Sequence, residues 1–371
     1  MRGEVTSSRE IGSRLLLLAA SLLAGLLLLE LGLRALGFTP ARLRSRARVL
    51  GLEQPLLLDC YPSNPRGYFD IDLRQPAARE RYAELIARAP FDVGSAPWAV
   101  ESSFNSLHFR DSEFEPKRPG SVRVLVLGDS FTEGQGVREP DTYARVLEAL
   151  LNDAPGSRYE VRNCGRRGAD FPELFQTFQE LLRFDPDVVI YGMVLNDVER
   201  APSLDALYPA LNDWIIDRRA RLAGSAPEGW RSSLFDFVAE RLESRRIDRQ
   251  ARRWYGDLYA EANAEGWRKT RGYLKRMDAE MRGRGGRFLV ALWPLLVSLQ
   301  ADYPFEAVHR RVSEACAGLG IGFVDLLPEL RAAESSTLWV HQTDMHPNER
   351  AHRLAAARLR RALRETARDV R

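Results

Sequence analysis

Lysine is almost missing from this chain: of 54 basic residues in 371, only Lys117, Lys269 and Lys275 are lysine and the rest are arginine. We read the skew as base-composition bias, with no functional message. Charge of one sign is lacking too, because 54 basic residues face 51 acidic ones for a net of +3. Without a domain-wide basic field there is nothing to gather phosphates, which argues against nucleic-acid binding. Cysteine is scarce. Cys60, Cys164 and Cys316 stand far apart, so they form neither a disulfide framework nor a CxxC zinc cluster. One disulfide would be allowed, with no pair singled out. Apolar residues make up 45% of the chain, enough for a sizeable core without disulfides or metals.

The longest hydrophobic run lies near the N-terminus. Residues 15–29 read LLLLAASLLAGLLLL, and Arg14 and Arg34 bound a 19-residue stretch whose only charge is Glu30. As a helix, 19 residues rise about 28 Å, close to the hydrocarbon thickness of a bilayer. A leucine helix with no polar face is a poor core helix. An uncleaved anchor and a cleaved signal peptide both fit, although Arg34, Leu36 and Phe38 occupy the region where a small-residue cleavage site would stand. Arg2, Arg9 and Arg14 precede the run, while Arg34, Arg42, Arg44, Arg46 and Arg48 lie beyond it. That charge count alone opposes export of the downstream chain, though a long C-terminal domain can translocate despite it.

Three regions are expected: an anchor or signal over 1–38, an irregular connecting or capping segment over 39–120, and a main domain over 121–371. The middle region carries turn signals such as Tyr61-Pro62-Ser63-Asn64-Pro65, and ends in Pro116-Lys117-Arg118-Pro119-Gly120. The third alternates short apolar runs with helical stretches. Strands are expected at 122–127, 159–163, 187–194, 287–293 and 321–325. Helices are expected at 142–151, 172–183, 304–318 and 348–366. Such alternation implies a parallel sheet covered on both faces: a three-layer α/β/α domain of flavodoxin-like type with five strands. A charged helical insertion at about 203–282, with Trp214, Trp230, Trp254 and Trp267, reads as a lid or substrate wall, or more plainly as a layer anchored by its tryptophans.

Four blocks carry chemistry. Gly128-Asp129-Ser130-Phe131-Thr132-Glu133-Gly134 comes after the first strand, where an open α/β sheet binds ligands. A plain strand-to-helix turn capped by Asp129 or Ser130 is the simpler alternative for this block taken alone. Val161-Arg162-Asn163-Cys164-Gly165-Arg166-Arg167-Gly168 follows the second strand, and Val194-Leu195-Asn196-Asp197 comes after the third. Asp344-Met345-His346-Pro347-Asn348 precedes the last helix. In a doubly wound sheet these loops open on one edge, so a hydroxyl, two amide donors and an imidazole can converge.

These blocks, in this order, resemble the SGNH or GDSL hydrolase family. The resemblance covers residues 120–366 and implies an acyl-transfer enzyme with a serine nucleophile and no metal or cofactor. It makes Ser130 the nucleophile, with Asp344 and His346 as the remaining catalytic pair. The oxyanion hole would be formed by Ser130, Gly165 and Asn196. Two positions depart from the family pattern: Val194 stands where a glycine is usual, and Asp344 lies two residues before His346 rather than three. The Asp-x-His-Pro-Asn form resembles an extracytoplasmic, membrane-anchored branch that includes polysaccharide O-acetylation proteins. The implied function is hydrolysis of an O-acyl ester, foremost an acetyl ester, of a carbohydrate or another small molecule. A membrane-anchored polysaccharide O-acyltransferase and a catalytically silent binding or assembly protein are the alternatives. The expected partners are the ester substrate and the membrane.

Among the other titratable groups, His341, His346 and His352 are spaced by five and six, not by the four of a helical zinc pair. His352, His108 and His309 are expected to be structural, Cys164 a small packing residue, and Asp129 and Asp197 loop ties.

Overall fold

The computed structural model describes residues 8–36, 69–72, 99–205, 232–300, 302–341 and 344–368. The expected segment 39–120 lies mostly outside these residues, as do Cys60, Trp214 and Trp230. The chain divides into two compact units, one of residues 1–57 with 213–250 and one of 58–212 with 251–371.

The second unit holds a five-stranded, wholly parallel sheet. Its strands are β1 (Val122–Gly128), β2 (Tyr159–Gly165), β3 (Val188–Met193), β4 (Arg287–Leu292) and β5 (Gly322–Asp325), in the order β2-β1-β3-β4-β5. β1 and β3 are apolar and buried almost throughout, as parallel strands covered on both faces must be. The chain leaves β1 toward one edge and then returns across it to β3, which opens a crevice beyond the carboxyl end of β1.

Two helical layers cover the sheet. α2 (Tyr143–Leu151) packs with α7 (Glu349–Arg368), where the Tyr143 and His352 rings stack at 5.7 Å. α3 (Phe171–Leu181) packs with α5 (Ala264–Gly283) through Phe171 and Phe175 against Tyr273. α6 (Glu306–Leu319) connects β4 to β5. The expected five-stranded α/β domain is therefore present, with most element ends within two residues of their expected places. The region expected as one insertion at 203–282 is less uniform. α5 belongs to the sheet's own helical cover, and Trp254 and Trp267 are buried core residues.

The amino-terminal end of the sheet is held by a buried ion pair. Arg123 reaches Glu160 across β1 and β2 at 2.6 Å, and also donates to the carbonyls of Glu115 and Phe184. Cys164 and Cys316 are free and buried.

In the first unit, α1 (Ser8–Ala35) is a helix of 28 residues with exposed leucines along its length. Its stretch Ile11–Ala35 is long and apolar enough to cross a membrane. α4 (Ser233–Asp257) begins in this unit and ends in the second.

Candidate active site

β1 ends in Gly128, and the chain turns at once into a four-residue helix, Ser130–Glu133. Asp129 caps it, its side chain accepting the Phe131 N–H at 2.9 Å. The sheet register places Gly165 on one side of Gly128 and Gly192 on the other, so a row of glycines crosses three strands at their carboxyl ends. That row lets the serine-bearing turn lie directly on the strand ends. A Cβ at Gly128 would stand 2.1 Å from Thr132 Oγ1, and one at Gly165 would stand 2.1 Å from the Glu133 nitrogen. Ser130 is thus presented at the carboxyl edge by backbone packing that excludes side chains beneath it.

His346 arrives from 216 residues away on a short antiparallel ribbon, Trp339–His341 with Asp344–Pro347. Its Nε2 lies 2.9 Å from Ser130 Oγ. The Phe131 ring meets the imidazole edge-on, with centroids 5.4 Å apart. Asn348, immediately beyond, ties this ribbon to the start of α7. It donates to the carbonyls of Thr337 and Trp339 and accepts from the amides of Arg350 and Ala351. The Asp344 backbone pairs with His341, but the Asp344 side chain lies outside the described residues.

The other expected residues take distinct places. Gly165 packs against the Thr132–Glu133 backbone, and its N–H donates to Asn163 Oδ1 at 3.0 Å. That amide is therefore already engaged. Gly168, further along the same loop, is exposed at φ 78° with open space around its Cα. Asn196 sits half-buried in a tight turn beyond β3. The turn is pinned by Asp197, which accepts from Tyr191 Oη at 2.9 Å and from the Val194 N–H at 3.0 Å. Val194 is buried, and its amide helps hold the turn that carries Asn196.

Burial pushes the Asp129 carboxyl up to about 6, against the opposing pull of the Phe131 amide and the nearby His346. Burial likewise holds Asp197 well above the usual carboxylate range, and the charge of Asp129 adds to it. Behind the serine, Thr132 Oγ1 and Tyr143 Oη share a hydrogen bond of 2.8 Å. The Tyr143 N–H donates to Nδ1 of the buried His352 at 3.0 Å. Burial lowers His352 to about 3, so it is neutral and its ring proton sits on Nε2. His309 is also buried, with Nδ1 2.8 Å from Asp325 Oδ1.

One tie was not legible in the motifs. Glu133 accepts from the Arg167 amide at 2.8 Å and from its guanidinium at 2.8 Å, lashing the glycine loop to the serine turn. Its sequence signal was an acid inside the first block and an arginine inside the second, with nothing to pair them.

The family model for GDSL-like lipases and acylhydrolases matches residues 126–354, well over half of the chain. The chain belongs to this family. As a GDSL-family acylhydrolase it is an enzyme of ester bonds. No curated protein matches the sequence. Among solved structures, it is similar to an acetylxylan esterase from Geobacillus stearothermophilus at 14% identity, covering 65% of this chain and 94% of that one, with a TM-score of 0.41. It is also similar to a psychrotrophic esterase from Pseudoalteromonas sp. at 12% identity, covering 66% and 98%, with a TM-score of 0.39. A lipolytic protein of the G-D-S-L family from Desulfitobacterium hafniense matches at 13% identity, covering 65% and 99%, with a TM-score of 0.39.

Proposed function

We propose that this GDSL-family enzyme cleaves an O-acyl ester through an acyl-Ser130 intermediate, with His346 as the base. The observation that carries the reading is the 2.9 Å contact between Ser130 Oγ and His346 Nε2. A serine hydroxyl is a weak nucleophile at neutral pH, and an imidazole at this distance can take its proton as Oγ attacks the ester carbonyl. The same Nε2–H then protonates the departing alcohol. A water molecule then attacks the acyl-serine and gives its proton to His346, which returns it to Ser130 Oγ as the acid leaves. Asp344 would hold the imidazolium from the neighbouring strand position.

The developing oxyanion needs donors at the strand edge. The Ser130 amide and the Asn196 side chain are two candidates, and one such donor is typically worth about 3–4 kcal/mol. Gly165 could serve only by releasing Asn163. Gly168, on the same loop, would leave that bond intact.

An acetyl ester of a carbohydrate is the proposed substrate, supported by the Asp344-Met345-His346-Pro347-Asn348 pattern. An anchoring role for α1, with the enzyme domain outside the cytoplasm, fits the same pattern and the apolar span Ile11–Ala35.

The test is covalent labelling of the full chain by a serine-directed fluorophosphonate. Labelling is expected in the parent and absent in Ser130→Ala. Equal labelling of both, or of neither, would overturn the assignment. Product analysis with an acetylated oligosaccharide, with and without a second sugar acceptor, then separates hydrolysis from acyl transfer.

A further inference from the structure

We infer that the first half of α4 lies in the membrane interface, held there by Glu30 of α1 and facing anionic lipid. The inference rests on the anchoring role proposed for α1. Three observations within the first unit support it.

The first is the junction. Glu30 directly follows the uncharged run of residues 15–29, so in a spanning α1 it stands where hydrocarbon gives way to headgroups. It is buried there by the start of α4. One carboxylate oxygen accepts from the Ser233 N–H at 2.9 Å and from Arg34 Nε at 2.6 Å. The other accepts from the Leu234 N–H and the Ser232 hydroxyl, both at 2.8 Å. A carboxylate is the group a helix amino terminus favours, and this one is supplied by another helix 203 residues away. The contact fixes the depth of α4's first turn at the level of Glu30. It also gives α1 a task in the finished protein that a removed signal peptide could not perform.

The second is the face that α4 leaves open. Phe235, Val238 and Leu242 are 70%, 46% and 61% exposed. Their spacing of three and four places them on one side of the helix. They begin one residue beyond the Glu30 cap, beside a helix whose Leu26, Leu27, Leu28, Leu29 and Leu31 are exposed as well. Water is the wrong solvent for both surfaces, and the apolar part of the interface suits both.

The third is charge. The same side of α4 continues, at spacings of three, four and seven from Leu242, into Arg245, Arg246 and Arg249, all exposed. An apolar face that passes into arginines is the pattern of a helix lying in the plane of an anionic membrane.

Nitrobenzoxadiazole labels on single introduced cysteines of the full chain, whose own Cys164 and Cys316 are buried, test this in vesicles of phosphatidylcholine and phosphatidylglycerol. Cys60→Ser supplies the background, and ester turnover shows that each labelled protein is folded. Labels at Phe235→Cys and Leu242→Cys should emit to the blue and lose intensity when spin-labelled lipid is added. A label at Asp248→Cys, on a different side, should do neither. Adding Glu30→Ala should return the label at 235 toward the emission of water. Vesicles without phosphatidylglycerol should show weaker quenching at 242. Water-like emission at all three sites in protein that survives an alkaline wash would overturn the interfacial helix and leave the anchor standing. Release by the wash would overturn the anchor and, with it, this inference. Quenching that is indifferent to Glu30→Ala or to anionic lipid would overturn the role given to that carboxylate or to the arginines.

Discussion

Gly165→Ala should damage the enzyme in two separable ways. Its Cβ would stand 2.1 Å from the Glu133 nitrogen, 2.6 Å from the Thr132 carbonyl carbon and 2.7 Å from Glu133 Cα. All three are backbone atoms of the serine turn, so no flexible side chain can swing away. The turn must move, or β2 must separate from β1. Overpacking of this kind costs about 1–3 kcal/mol. In a domain of this size each kcal/mol lowers Tm by roughly 2–4 °C. The displacement also acts on the 2.9 Å contact between Ser130 and His346. A misplacement of about 1 Å at such a contact costs on the order of 100-fold in rate. Thermal melts and kcat/KM on a chromogenic ester read both effects. Gly318→Ala is the control. It lies in α6 with open space around it, so it should leave turnover unchanged and raise stability by about 1 kcal/mol. An alanine at 165 with parental Tm and turnover would refute the claim that backbone packing on the glycine row positions the serine.

Three further changes have defined outcomes. His352→Leu removes the acceptor of the Tyr143 N–H and should cost about 1–3 kcal/mol at neutral pH. The folded protein holds His352 at about 3, so the unfolded chain binds more protons below its ordinary value of about 6.5. The parent should therefore lose up to about 1.4 kcal/mol per pH unit from this group as pH falls through that window. Denaturation of the leucine variant should lack this loss, and parallel pH curves would contradict it. Asp129→Asn keeps an acceptor for Phe131 and removes a buried charge. Because folding raises Asp129 to about 6, its stabilising contribution is full below pH 4 or so and is lost as pH climbs through 6. The variant should gain on the parent between those limits, and a constant difference across melts would rule this out. Glu160→Ala strands Arg123 in the core and should cost about 3–5 kcal/mol in urea unfolding. The pair sits at the amino-terminal ends of β1 and β2, far from Ser130, so turnover per folded molecule should hold; a parental midpoint would show that the pair is dispensable.

What the sequence showed depended on how far apart the interacting residues lie. β1 to β5 were legible because each is a short apolar run bounded by turn residues. The helices that cover them could be placed because their apolar faces repeat. The serine and histidine could be paired only because both fall at strand-end loops, which a doubly wound sheet gathers on one edge. Local spacing could not show what each amide does there. Asn163 occupies the Gly165 N–H from two residues away, in competition with the donor role expected of that glycine. The Glu133–Arg167 tie and the Glu30 cap on α4 join residues with no shared periodicity. Trp254 and Trp267 are core, as the plainer reading of that charged stretch expected, because a large apolar ring among charged residues is what anchors such a helix.

The central claim is that the acyl group passes through Ser130. Rapid acid quench of the full chain during turnover of an activated acetyl ester, followed by peptide mapping, tests it most directly. The account predicts about one acetyl group per active chain on the peptide containing Ser130, and none in Ser130→Ala. An acetyl group on another residue, or parental turnover by Ser130→Ala, would contradict it.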